Sequence, residues 1–158
     1  MTSSEHWDYP EPFILRFTVE PQHIDVLQHV NNTVYVDWCQ KAGWQHSQAL
    51  GLGIEHYREL DTAMAIRRAD YDYISAAYLG DELELGTWLT GCDHRLQLER
   101  SFQLRHRNRG TTLLRGRWQL VCIGLSSGKA RRMPPIFCRL YGDAVIETST
   151  VSVERARD

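Results

Sequence analysis

The sequence predicts an α+β domain in which a curved antiparallel sheet wraps around one long central helix. Three observations predict it. Residues 31–50 repeat apolar side chains at three- and four-residue spacings; four later stretches fall to a period of two; and a short strand-forming run precedes the helix. With a single long helix to cover it, such a sheet gains from pairing edge to edge with a second copy.

The polar start, residues 1–12, is expected to be a flexible N-terminal segment, with one domain over 13–146. Phe13-Ile-Leu-Arg-Phe-Thr-Val19 is short, apolar and rich in strand formers, and it stops at Glu20-Pro21, which makes it the first strand. In 31–50, Tyr35, Trp38, Cys39, Ala42, His46 and Ala49 form one broad face, with Asp37, Gln40, Lys41 and Gln48 between them. This is a helix closed near Gly51 and Gly53, on which His46 reads as a satisfied or half-exposed helix residue rather than a ligand. Strands follow near 62–74, 82–92, 95–106 and 111–124. Leu83, Leu85, Thr87 and Leu89 form one row, and Leu96, Leu98, Phe102 and Leu104 another; Gly80-Asp81, Asn108-Arg-Gly110 and Ser126-Ser-Gly128 supply the breaks. Residues 129–135 extend or cover the last strand, and Pro134-Pro135 opens a short helix at 136–141. Residues 147–158, ending VSVERARD, carry too little apolar content to be held and are expected to form a mobile tail.

The chain of 158 residues, 42% of them hydrophobic, suffices for a core without metal or disulfide staples. A net charge of -2 gives no global field for nucleic acid or an anionic membrane, so any anion is held locally. Its four cysteines, Cys39, Cys92, Cys122 and Cys138, contain no CxxC pair and sit among apolar or aromatic neighbours, as reduced buried thiols of a cytoplasmic protein do. The N-terminus shows no basic n-region followed by an apolar run, and no segment reaches membrane-span length, so the chain reads as soluble and unprocessed.

The stretch DVLQHVNNTVYVDW, residues 25–38, holds more polar groups than a helix entrance needs for capping. Asp25 lies in the loop before the helix. Asn31, Asn32 and Thr33 occupy the first turn, where unpaired N–H groups and the positive end of the helix dipole point outward. A carboxylate beside oriented N–H donors is an acyl-transfer arrangement: the donors hold a developing oxyanion while the carboxylate attacks or activates a water. His29 can orient the carboxylate, donate to it, or bond a main-chain carbonyl. Tyr35 suits a pocket wall, and Trp38 suits packing. Taken singly, each of these residues also reads as loop, cap, surface imidazole or core. His23, Asp25 and His29 are metal-binding types, but no fourth ligand is positioned, and no metal is expected. Arg105, Arg107 and Arg109 in one hairpin, and Lys129, Arg131 and Arg132 beyond the last strand, offer a local basic face for nucleotide phosphates or an acidic carrier protein.

As an ordered set, HVNN followed by Tyr35 and Trp38, with Asp25 four residues before His29, resembles the signature of hotdog-fold acyl thioesterases. It is similar to the 4-hydroxybenzoyl-CoA thioesterase-like family and, as QHVNNxxYxxW, to plant acyl-carrier-protein thioesterases. The order of elements and Tyr71-Asp-Tyr73 before Gly80-Asp81 extend the resemblance over most of the chain. It implies a hotdog homodimer or homotetramer with two sheets joined and acyl thioester sites at the subunit interface. It also implies an acyl-CoA or acyl-carrier-protein substrate, no nucleic-acid or membrane partner, and no cofactor, since a thioester is already activated. By motif position it makes Asp25 the nucleophile or general base and the Asn32 N–H the donor that polarises the carbonyl. His29 and Asn31 become a polar pair near the site, and Tyr35 an aromatic of the acyl pocket; Arg131 and Arg132 are further substrate-binding candidates. Three positions depart from the pattern: His23 stands where many bacterial relatives have a second acid, Gln28 replaces a Gly, and Leu27 replaces the Asn of the plant enzymes. A non-catalytic acyl-thioester binding or regulatory protein on the same fold is the alternative, and hydration or dehydration of an acyl chain a third.

Overall fold

A computed structural model of the chain describes residues 7–147. Five strands, β1 (Phe13–Thr18), β2 (Thr62–Tyr73), β3 (Glu82–Cys92), β4 (Gln97–His106) and β5 (Thr112–Gly124), form one sheet in the order β1-β3-β4-β5-β2. Every neighbouring pair is antiparallel. The long helix α1 (Asn32–Ala49) lies on one face, and the shorter α2 (Ile54–Glu59) and α3 (Pro135–Gly142) close the same layer. The α+β architecture is the predicted one, with strand and helix limits shifted by no more than a residue or two. Helix α2 and a single 3-10 turn at Pro21–His23 are additions that no periodicity announced.

The period of two explains the layers. Leu83, Leu85 and Leu89 of β3, Leu98, Phe102 and Leu104 of β4, and Leu114, Trp118, Leu120 and Cys122 of β5 join Tyr35, Trp38, Cys39 and Ala42 of α1 in one core. Gly43 gives α1 its close approach to the sheet: a Cβ there would stand 3.1 Å from Trp118 Cζ3. Tail residues cover the end of β5 as expected, through an Ile123–Ala130 bridge, and Phe137 and Tyr141 of α3 enter the core.

The opposite face of the sheet is covered too, which corrects the expectation of a flexible start. Trp7 is buried edge-on to Trp88 (5.9 Å), in the space left by Gly86, where a Cβ would come within 2.7 Å of the indole. Trp88 Nε1 donates to the Pro10 carbonyl at 2.9 Å, and the Asp8 carboxylate takes Arg115 Nε and Nη2 at 2.7 and 2.9 Å. Two aromatic contacts and a fork-shaped ion pair hold residues 7–12 as a strap. Residues 1–6 and the expected mobile tail beyond Glu147 lie outside the described residues. No helix among the described residues is long and apolar enough to cross a membrane.

Candidate active site

The loop before α1 is a small hairpin closed by an Ile24–Val30 bridge. Within it Asp25 N donates to His29 O (2.9 Å) and Gln28 N to Asp25 O (3.1 Å), with Gln28 in the left-handed region at φ 67°. Asp25 Oδ1 accepts from Leu27 N at 2.8 Å, a side-chain turn that fixes the carboxylate. Its other oxygen, Oδ2, lies 3.6 Å from His29 Nδ1. Val30 N donates to Ala77 O and Asn31 N to His23 O, anchoring the loop between the 3-10 turn and the β2–β3 connection.

Asn31 is the N-cap of α1: its Oδ1 accepts from Thr33 N (3.0 Å) and Thr33 Oγ1 (2.9 Å), while Val34 N returns to Asn31 O. The Asn32 N–H has no acceptor among the described residues. It opens on a cleft of about 220 Å³ whose walls include His29, Tyr35, Tyr73 and Ser75. Burial raises the Tyr35 pKa, so the phenol stays neutral, and its oxygen accepts from Ala77 N at 3.2 Å. That bond sets the ring as a wall, 6.0 Å from Tyr73.

His29, Asn32 and Tyr35 therefore line one cleft; Asp25 adjoins it through His29 without lining it, and Asn31 adjoins it with its side-chain oxygen engaged in capping. Arg131 and Arg132 are not there. Arg131 Nη1 reaches the Leu60 and Asp61 carbonyls at the start of β2, whereas the cleft lies at its end. The 12 residues of β2 separate them by roughly 40 Å. The arginines of the β4–β5 hairpin each meet an acid: Arg105 pairs with Glu84 (2.9 Å), Arg107 with Glu82 (3.8 Å) and Arg109 with Asp81 (3.9 Å). His23 accepts from Glu20 N through Nδ1 and sets its ring edge-on to Trp38.

A second cavity, of about 310 Å³, lies beneath the later turns of α1, between Gly43, Trp44, Met64, Leu98, Trp118 and Tyr141. Arg100 lines it and is only 4% exposed. It occupies the inward row of β4 between Leu98 and Phe102, and a cation in an otherwise apolar row was the sequence signal for it. Nη1 donates to His46 Nδ1 (2.8 Å) and Thr87 Oγ1 (3.1 Å). Burial lowers the Arg100 pKa to about 10, leaving it charged at neutral pH. Burial, then the Arg100 charge, lowers that of His46 to about 4, so His46 is a neutral acceptor. Ser47 donates to Leu52 O, which leaves the Tyr141 hydroxyl to donate to Ser47 and that of Tyr57 to donate to Tyr141.

A family model described as the thioesterase-like superfamily matches residues 19–140. No curated protein matches the sequence significantly. Among solved structures, the chain is similar to a 1,4-dihydroxy-2-naphthoyl-CoA thioesterase from Synechocystis, with 19% identity over 84% of this chain and 97% of that one and a TM-score of 0.75. It is similar to a Staphylococcus aureus protein solved in complex with CoA (17% identity, 88% and 89% covered, TM-score 0.78). It is also similar to the 12:0-ACP thioesterase of Umbellularia californica (17% identity, 85% of this chain and 54% of that one, TM-score 0.77). At these identities the likenesses establish the hotdog fold.

Proposed function

The chain belongs to the thioesterase-like superfamily and is a thioester hydrolase of that family, and from this premise we propose that it cleaves an acyl-CoA or acyl-carrier-protein thioester to free acid and thiol in the cytoplasm. The observation that carries the proposal is the Asn32 N–H, free of any acceptor among the described residues and opening on the cleft that His29 also lines, next to Asp25. A thioester carbonyl accepting from that N–H is polarised, and the tetrahedral oxyanion strengthens the same bond. One such donor is worth roughly 3 to 4 kcal/mol of barrier. Asp25 Oδ2 then either attacks the carbonyl carbon, breaking the C–S bond and expelling the thiolate to leave a mixed anhydride that water hydrolyses, or takes the proton of an attacking water whose tetrahedral adduct collapses with loss of the same thiolate. His29, whose Nδ1 meets the Val30 carbonyl at 3.4 Å and stands 3.6 Å from Oδ2, closes the loop beside the carboxylate, and Tyr35 and Tyr73 flank the acyl group.

A homodimer, alone or as half of a homotetramer, forms through the exposed edge of β2. Antiparallel pairing of two β2 edges sets the start of one strand, with Arg131 and Arg132, beside the end of the other, with its cleft. The arginines thereby serve the phosphates of the thiol carrier bound at the neighbouring site.

Thiol release from a panel of short, medium, long and aromatic acyl-CoAs, with wild type and Asp25→Asn side by side, tests this reading. Hydrolysis of some member that collapses in the variant supports it; an inert wild type on every CoA and carrier-protein ester refutes it. Single turnover in labelled water separates the two mechanisms, because label enters Asp25 only if it is the nucleophile.

A further inference from the structure

Arg100, itself buried, presents an unmatched charge to the cavity beneath α1. Among the described residues only its Nη1 donates a hydrogen bond, and both acceptors, His46 and Thr87, are neutral. It makes no ion pair with a described acid. Nε and Nη2 make no hydrogen bond among the described residues, where no fully buried side-chain nitrogen or oxygen is left without a partner, so both open on the cavity that Arg100 lines. Gly43 keeps that edge uncovered, since a Cβ there would stand 3.6 Å from Nε.

The molecule shows what such an edge binds. Arg115 gives Nε and Nη2 to the two oxygens of Asp8, and Arg105 gives the same two nitrogens to a single carboxylate oxygen, Glu84 Oε1. A planar fork with parallel N–H groups matches a carboxylate, and the match gains strength where water is excluded. An isolated buried cation is otherwise costly. The hydroxyls of Ser47, Tyr57 and Tyr141 donate along their own chain, so among these groups the guanidinium is the donor left for a ligand.

Building on the thioesterase reading, we infer that the cavity beneath α1 receives the far end of the acyl group and that Arg100 recognises a carboxylate there, so that the substrate is the half-thioester of a dicarboxylic acid. Met64 and Ile66 place the cavity against the first half of β2, while the cleft adjoins its end. The antiparallel dimer therefore brings the cavity of one subunit beside the reacting centre of the other. Apolar walls from Trp44, Met64, Leu98 and Trp118 suit the methylene chain between the two ends.

The test compares matched pairs that differ in the terminal group, adipyl- with hexanoyl-CoA, suberyl- with octanoyl-CoA and sebacyl- with decanoyl-CoA, using wild type, Arg100→Met and Arg100→Lys. Wild type is expected to favour the carboxylated member of its best pair by about a hundredfold in kcat/KM, Arg100→Met to reverse the preference, and Arg100→Lys to keep part of it. Gly43→Ala leaves the guanidinium in place but crowds Trp118 as well as Nε, so it is read as the ratio within a pair: a lowered preference for the carboxylated ester supports the inference and an unchanged ratio overturns it, which decides the matter should Arg100→Met fail to fold. Equal or better hydrolysis of the plain esters by wild type overturns the inference. Binding of monomethyl suberate, which carries one carboxylate like the half-thioester, and of methyl octanoate, which carries none, is read from tryptophan emission because Trp118 lines the cavity, and it separates the two proposals. If no CoA ester is cleaved but monomethyl suberate alone binds, and loses its binding in Arg100→Met, the carboxylate site stands and the hydrolase reading on CoA falls. If neither hydrolysis nor binding of monomethyl suberate is seen, the inference is overturned.

Discussion

The two ends of α1 make cavities by different means. At its start the chemistry comes from the backbone: a tight loop fixes Asp25, a cap satisfies Thr33, and the Asn32 N–H is left over. Beneath its later turns the cavity is made by side chains from six elements, with Trp44 from α1, Tyr57 from α2, Met64 from β2, Arg100 from β4, Trp118 from β5 and Tyr141 from α3. The difference separates chemistry from choice of substrate. A backbone donor cannot be exchanged by substitution, whereas every wall of the deeper cavity can be. Reaction type is thus tied to a local motif and specificity to the packing of distant strands.

The largest expected effect lies at the first end. Asp25→Asn keeps the turn, because the amide oxygen still accepts from Leu27 N, but it removes the base or nucleophile. Hydrolysis should fall about a thousandfold or more with the melting temperature nearly unchanged. A loss of activity matched by a loss of stability would mean that Asp25 serves the loop rather than the reaction.

The same contrast explains what was legible in the sequence. Asp25, His29, Asn32 and Tyr35 lie within eleven residues, so their order alone brought them to notice; two periodicities yielded one strand, a long helix and four antiparallel strands, and the hotdog fold came from the resemblance of the motif. The carboxylate-seeking edge of Arg100 depends on which acids its row faces. Period-two alternation puts position 100 inward, between Leu98 and Phe102, yet an apolar count of that row passes over it. Arg131 shows the opposite limit. Nothing short of the strand order reveals that it stands at the start of β2, with the cleft at the far end. Trp7 is held because Gly86 leaves a hole and Trp88 turns to the outer face, and neither is a local property.

Acid should distinguish the second end. His46 has its folded pKa lowered to about 4, below the ordinary value near 6.5. Above that ordinary value both states leave it neutral. As pH falls from there toward 4, the unfolded chain takes up a proton that the folded chain refuses, so stability drops across that window. Melting temperature should fall by several degrees between about pH 7.5 and about pH 5, and His46→Gln should flatten the dependence while keeping an acceptor for Arg100. An identical slope in the variant would place the acid sensitivity elsewhere.

Tyr35→Phe returns to the first end with a smaller effect. It keeps the aromatic wall but strips Ala77 N–H of its acceptor, at a cost of roughly 1 to 3 kcal/mol in chemical denaturation. KM should rise more than kcat falls, because the ring shapes the cleft without touching the reacting carbonyl. A fall in kcat alone would move the phenol into the chemistry.

Asn31 supplies the finest separation of backbone from side chain. Its oxygen caps α1 through Thr33, so Asn31→Ala should cost about 1 kcal/mol of stability, and Asn31→Ser, another good cap, should recover most of it. Activity should change only a few-fold, because the Asn32 N–H stays in place and the Thr33 N–H, once released, becomes a second donor at the same helix end. A loss of hydrolysis as deep as that of Asp25→Asn, with stability intact and no recovery in Asn31→Ser, would make the Asn31 amide a group that touches substrate. The start of α1 would then work through side chains, as the deeper cavity does.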